Sequence, residues 1–128
     1  MQENLLFEYA IIRVVPHVER EEFLNVGVIL FCAKQKFLRC IFHLDENRLK
    51  AFSGSADTSE LNEHIQSFER ICKGGPDGGS IGKLTQAERF RWLTATRSTV
   101  LQTSKVHPGL CTDPEEMVQR LFNQMVRQ

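Results

Sequence analysis

The sequence lacks the features typical of nucleic-acid binders, membrane-spanning proteins and secreted proteins. Its 16 basic and 16 acidic side chains balance, without the basic excess typical of nucleic-acid or membrane-surface binders. The longest apolar run, over residues 26–33, has eight residues, whereas a membrane-spanning helix needs about 20. The N-terminal stretch has neither the basic nor the apolar segment of a signal peptide. We therefore expect a cytoplasmic protein with no membrane contact, for which nucleic acid is an unfavourable partner.

The four cysteines are too scattered for a structural metal site. Cys32, Cys40, Cys72 and Cys111 form no C-x-x-C pair, and zinc sites need ligands paired at short spacing. The four histidines share no metal-ligand spacing on one helix or strand either. Each cysteine has an apolar neighbour, so the sequence predicts buried, reduced thiols, with a redox or metal role as the alternative. No metal and no cofactor are expected.

The glycine-rich stretch 74–82 does not match a phosphate-binding loop. A P-loop that ends at Gly82-Lys83 needs glycine at 77 and serine or threonine at 84, where Asp77 and Leu84 stand. The stretch also follows a predicted helix, whereas a P-loop follows a strand. We expect a connector here, with a ligand-gated loop as the alternative.

The first third of the chain has the patterns of three strands. Residues 7–15 and 28–33 are apolar and rich in β-branched side chains, and two sets of side chains alternate along residues 37–44. The short spacing between the second and third of these strands predicts an antiparallel hairpin. Both faces of the first strand are largely apolar, which predicts a strand that is central or covered on both sides. Gly27 indicates a bulge or a close backbone approach.

Helix patterns follow, with one more strand between them. The predicted N-terminal caps of the helices are Asp45, Asp57, Thr85 and Asp113. A fourth strand is predicted over residues 97–103, ended by Pro108-Gly109, and it can pair with the first. The chain is thus predicted as a single α+β domain over residues 1–128, a mainly antiparallel sheet of about four strands with helices packed on it.

The stretch 83–105 is the most informative about function. It holds five basic side chains against one acidic, a local charge of +4, around the only tryptophan, Trp92. Guanidinium groups bind oxyanions bidentately and stack on aromatic rings, so one interpretation is an anion-binding or partner-binding site. The other is a helix with a solvated basic face and Trp92 in the core.

Two arginines in predicted strands are open to two interpretations. Arg97 suits a clamp for phosphate or carboxylate, and equally an ion pair with Glu88 or Glu8. Arg13 lies among apolar residues of the first strand, where its charge must be paired or solvated because an isolated buried charge costs many kcal/mol. The sequence leaves both arginines undecided between structure and function.

Two long motifs resemble a known family. The first is YAIIRVVP at 9–16 with EREEFLNVGVIL at 19–30. The second is ERFRWLTA at 88–95, with RSTV at 97–100 and VHPGLC at 106–111. In this order they resemble the bacterial family labelled domain of unknown function 3037, over nearly the whole chain.

The resemblance implies no established activity. Through the gene neighbours of that family it implies a partner similar to HipA-type serine/threonine kinases, and hence an accessory or regulatory role. The family often has proline where this chain has Thr96, a change that affects only a turn. The motifs and the basic stretch together provide the candidate binding residues, which are Arg13, Asn25, Glu88, Arg89, Arg91, Trp92, Arg97, Ser98 and His107.

Three functional hypotheses follow. The leading one is a small binding or regulatory module with a protein partner. Its surface is expected to comprise Arg89, Arg91, Trp92 and Arg97, with Arg13 and Asn25 nearby if the first and last strands adjoin. The rival is an enzyme acting on a phosphate-bearing small molecule, held by arginines, with His107 or Glu88 moving protons. A nucleic-acid binder is the weakest hypothesis because the net charge is zero.

Overall fold

The computed structural model, which describes residues 4–17, 20, 22–54, 58–97 and 99–127, contains one sheet with helices packed on it. The strands are β1 (Leu5–Val14), β2 (Leu24–Cys32), β3 (Phe37–Phe42), β4 (Leu101–Thr103) and β5 (His107–Cys111). The helices are α1 (Glu46–Phe52), α2 (Thr58–Lys73), α3 (Gly79–Gly82), α4 (Gln86–Leu93) and α5 (Pro114–Met125). The predicted α+β fold is confirmed.

β1 is the central strand of an antiparallel sheet. β2 pairs with one side of it and β3 pairs with β2. On the other side, β4 pairs with the C-terminal part of β1 and β5 with the N-terminal part. The β2–β3 hairpin, the central position of β1 and its pairing with the fourth strand are all confirmed.

β5 is absent from the sequence-based prediction, and β4 is shorter than predicted. The strand expected over residues 97–103 contains only Leu101–Thr103. The Pro108-Gly109 pair, expected to end a strand, lies inside β5. Proline is tolerated there because β5 is an edge strand. Gly109 leaves room for the Phe7 ring, since a Cβ at this position would lie 2.5 Å from it.

Helices cover both faces of the sheet. On one face, α2 and α4 bury Ile12 and Ile29 together with Phe90. On the other face, α5 buries Ile11 and Val28. Successive residues of β1 therefore enter opposite cores, which explains why both of its faces are apolar. None of the described helices is long and apolar enough to cross a membrane.

Gly27 is both a bulge position and a close approach, as predicted. The register between β1 and β2 shifts by one residue beside it. A Cβ at Gly27 would lie 2.6 Å from the backbone oxygen of Ile41. The shift leaves Val26 in the α2/α4 core and turns Asn25 toward α5, where its Nδ2 donates to the Met125 carbonyl at 3.1 Å.

Local capping signals place most helix ends. Three predicted caps accept hydrogen bonds from backbone N–H groups: Asp45, Thr85 and Asp113. The fourth, Asp57, lies outside the described residues, and α2 begins at Thr58. The stretch 74–82, predicted as a connector, contains a 3₁₀ turn (Pro76–Gly78) and the short α3.

Candidate functional site

Arg89 is a structural residue in this fold. Its side chain is buried, and its Nη1 donates to the carbonyl oxygens of Ile71 at 3.1 Å and Cys72 at 2.6 Å. Its Nε donates to the Leu84 carbonyl at 3.0 Å. The last carbonyls of a helix have no partner within the helix. Arg89 therefore caps the C-terminal turn of α2 and has little capacity left for a ligand.

Arg91 is engaged by a carboxylate of the chain itself. Its two terminal nitrogens donate to the two carboxylate oxygens of Glu8, each at 2.9 Å. The hydrogen bond to Glu8 raises the pKa of Arg91 above its ordinary value. This bidentate pair ties α4 to β1, so the predicted partner Glu8 belongs to Arg91 rather than to Arg97.

Arg13 and Asn25 lie on the face of the sheet opposite α4. They oppose each other across β1 and β2, and the guanidinium of Arg13 lies 4.0 Å from the centroid of the Phe23 ring. Burial lowers the pKa of Arg13. β1 and β4 do adjoin, but side chains alternate along a strand, so these two residues point toward α5. The single surface expected from the sequence is divided by the sheet.

The other predicted residues make structural contacts of their own. Glu88 closes the capping box of α4 with Thr85. His107 stands on β5 with its ring 5.4 Å from that of Tyr9, which packs against the α5 core. Ser98 lies outside the described residues. The enzyme hypothesis needs Glu88 or His107 beside a cluster of arginines, of which Arg89 and Arg91 are already engaged within the chain.

Trp92 and Arg97 are brought together. The guanidinium carbon of Arg97 lies 4.0 Å from the centroid of the Trp92 ring, and a terminal nitrogen donates to the Trp92 carbonyl. Trp92 is 40% exposed, which contradicts its assignment to the core. Burial lowers the pKa of Arg97. In the part of the chain that the structure describes, no carboxylate pairs with this arginine.

The two residues line a pocket of about 210 Å³ between α2, α4 and β4. Its apolar lining includes Phe68, Ile71, Trp92, Leu93 and Leu101. Its polar lining is His64, Ser67, Arg97, Thr99, Gln102 and Thr103. Of the described residues that line it, none is acidic. We call this site the Trp92–Arg97 pocket.

Hydrogen bonds of the connector between α4 and β4 shape the pocket wall. Thr99 donates through Oγ1 to the Leu101 carbonyl at 2.7 Å, and Gln102 donates through Nε2 to the Thr99 carbonyl at 2.8 Å. Thr103 donates through Oγ1 to the carbonyl of Thr94, just after α4, at 3.4 Å. The first two bonds order the turn into β4, and the third joins β4 to the residue that follows α4.

The α2 side of the pocket is absent from the sequence-based prediction. His64, Ser67, Phe68 and Ile71 are spaced i, i+3, i+4 and i+7 and therefore lie on one helix face. The spacing was visible in the sequence, but only the packing shows that this face adjoins β4. No group of three or more metal-ligating side chains occurs within the described ranges.

Comparison with known proteins identifies a family. No curated protein and no solved structure matches the chain. The model of one protein family matches residues 9–126, nearly the whole chain, in agreement with the resemblance of the two motifs. The chain belongs to the family described as protein of unknown function, DUF3037.

Proposed function

We propose that this chain is a bacterial, cytoplasmic binding module that acts as an accessory or regulatory partner of another protein. The Trp92–Arg97 pocket is its contact site. One observation carries the proposal: an exposed tryptophan is stacked with an arginine that has no carboxylate partner among the described residues. Tryptophan and arginine are enriched among the residues that dominate binding energy at protein interfaces.

The size of the pocket favours a partner side chain over a larger ligand. Its volume is about 210 Å³, whereas small-molecule sites typically measure about 300–1,000 Å³. The balanced net charge of the chain also disfavours a polyanion as the partner. A single side chain inserted from a protein surface fits both facts.

The kinase-like partner implied by the family resemblance stays a prediction. The pocket lining indicates what kind of side chain would bind but not which protein carries it, so the partner has to be identified by experiment. The experiment is affinity capture of the tagged chain from its native cells, followed by mass spectrometry.

Two variants make this capture specific for the pocket. Ser67→Phe fills the pocket from the exposed side of α2, and Arg120→Ala is the control. Arg120 lies on α5, across the sheet, in an exposed pair with Glu116. We expect a stoichiometric partner with the parent chain and with Arg120→Ala, and its loss with Ser67→Phe, while all three chains keep the same thermal unfolding midpoint within a few degrees.

Two results would count against the proposal. Equal capture by Ser67→Phe and the parent would move the contact site away from the pocket. Absence of any stoichiometric partner with well-folded parent protein would reject the binding module as stated and would favour a phosphate-bearing small molecule as the ligand.

A further inference from the structure

We infer that the Trp92–Arg97 pocket recognises a carboxylate of the partner, on an acidic side chain or at a chain terminus, through the guanidinium of Arg97. The inference rests on the proposed function and specifies its chemistry.

The chain itself shows how its arginines bind a carboxylate. Arg91 holds Glu8 through both terminal nitrogens at 2.9 Å. Arg97 has the same fork, of which one nitrogen donates to the Trp92 carbonyl. A guanidinium has five N–H donors, so several remain for an incoming group. No carboxylate from the described residues takes them.

Trp92 holds this guanidinium in place. With the guanidinium carbon 4.0 Å from the ring centroid, the arginine is stacked and also hydrogen-bonded to the backbone of the same residue. A stacked planar fork is oriented before the ligand arrives, so less side-chain entropy is lost on binding. Burial of Arg97 strengthens its attraction for an anion, because the local dielectric constant is lower than that of water.

The local charge favours one negative charge over two. The pocket meets the C-terminal end of α4, where Trp92 and Leu93 are the last helical residues. A helix C-terminus carries about half a negative charge. The pocket lining has a single guanidinium among its described residues, and the Glu60 carboxylate lies 3.7 Å from Nε2 of His64 in the same lining, so the net charge of the site suits one negative charge better than two. Phosphate sites usually offer a helix N-terminus or several backbone N–H groups, and this site presents the opposite end of the helix.

The apolar lining fits the stem of an acidic residue. Phe68, Ile71 and Leu93 are buried at the pocket and offer hydrocarbon surface beside Arg97. The methylene groups of a glutamate, or the aliphatic side chain of a terminal residue, lose contact with water there. A carboxylate on a short apolar stem therefore matches both parts of the lining.

The test uses four probes and the nitrogen-bound protons of the pocket. The probes are acetyl-glutamate amide, acetyl-glutamine amide, acetyl-alanyl-alanine with a free C-terminus, and inorganic phosphate. They are titrated into the ¹⁵N-labelled full chain, and the signals of the Trp92 indole N–H and the Arg97 Nε–H are followed. The indole signal is unambiguous because the chain has one tryptophan.

We expect saturable shifts with the two carboxylate probes and none with the glutamine probe. Arg97→Gln should weaken the carboxylate probes by about tenfold or more, because a charge-assisted hydrogen-bonded pair is lost. Arg91→Gln removes the same charge from an arginine that does not line the pocket and should leave the titration unchanged. Arg97→Lys keeps the positive charge but removes the planar guanidinium, so it should weaken the carboxylate probes less than Arg97→Gln does. The tighter carboxylate probe identifies the side chain or the terminus as the source.

Several outcomes overturn the inference: equal shifts with the glutamine probe, tighter binding of phosphate, unchanged titration of Arg97→Gln, or no shift with any probe. Failure here is distinguishable from failure of the proposed function. If Ser67→Phe abolishes partner capture but Arg97→Gln retains it, the pocket is the contact site and the carboxylate is not its ligand.

Discussion

Three arginines between residues 89 and 97 have three different environments. Arg89 is 8% exposed and caps α2, Arg91 is paired with Glu8 at the surface, and Arg97 is stacked on Trp92. Composition alone treats them as one basic patch. The rotation of α4 separates Arg89 from Arg91, because consecutive residues of a helix point about 100° apart, and Arg97 follows the end of that helix at Leu93.

The contrast between the first two arginines predicts different stabilities of their variants. Arg89→Met leaves the carbonyls of Ile71, Cys72 and Leu84 without this donor, and we expect it to lower the free energy of unfolding by about 3 kcal/mol. Arg91→Met breaks an exposed pair and should cost about 0.2–1 kcal/mol. Guanidinium chloride unfolding of both variants measures the difference, and equal losses would contradict these roles.

β4 and β5 together form one edge of the sheet, interrupted at Ser104. Its backbone N–H donates to the Ile11 carbonyl at 2.8 Å, and its Oγ accepts from the Ile11 N–H at 2.8 Å. The hydroxyl thus replaces a strand carbonyl where the edge changes from β4 to β5. The interruption also explains why sequence patterns predicted one strand here: each piece is too short to show a clear alternation.

Ser104→Ala should destabilise this edge measurably. It leaves the buried Ile11 N–H unpaired, which costs about 1–3 kcal/mol. Hydrogen exchange at the Ile11 amide should accelerate, and chemical unfolding should show the same loss. Ser59→Ala, on an exposed position of α2, is the control and should change stability by less than about 0.5 kcal/mol. Unchanged exchange at Ile11 would contradict the role of the hydroxyl.

The molecule as a whole consists of a sheet between two helical layers, with a pair of cysteines in each core. Cys40 and Cys72 belong to the α2/α4 side, and Cys32 and Cys111 to the α5 side. All four are free thiols, three of them buried, so the prediction of reduced thiols holds for the structure, with Cys40 only partly buried. Hydrogen bonding with Cys72 and burial raise the pKa of Cys40, and burial raises that of Cys111.

These shifts predict slow alkylation of the folded protein. A raised pKa lowers the thiolate fraction at a given pH, and the thiolate is the form that reacts. At about pH 8, iodoacetamide should label Cys40 and Cys111 more slowly in the folded chain than in concentrated denaturant, because the thiolate fraction of both is lower in the fold. Mass spectrometry of the labelled peptides measures both rates. Cys40 is the sharper test, because partial exposure alone would allow rapid labelling.

Local patterns determine much of this fold. Residues close together in the chain produce the apolar faces of β1, the bulge at Gly27 and three helix caps, Asp45, Thr85 and Asp113. Alternation, chain reversal and capping depend on the backbone within a few residues, so a single sequence displays them. The basic character of the stretch around Trp92 is visible in the same way.

The grouping of side chains depends on contacts between distant segments. The position of α4 over the sheet decides which arginine pairs with Glu8, and this is Arg91 rather than Arg97. It also decides that Arg13 lies on the face of the sheet away from α4. The pocket likewise joins α2 to β4, some 30 residues apart in the chain. Such contacts are selected by the packing of complete elements, which no short stretch of sequence encodes. The sequence therefore predicts which residue types are available, and the tertiary packing leaves Arg97 stacked on an exposed tryptophan with no carboxylate partner among the described residues.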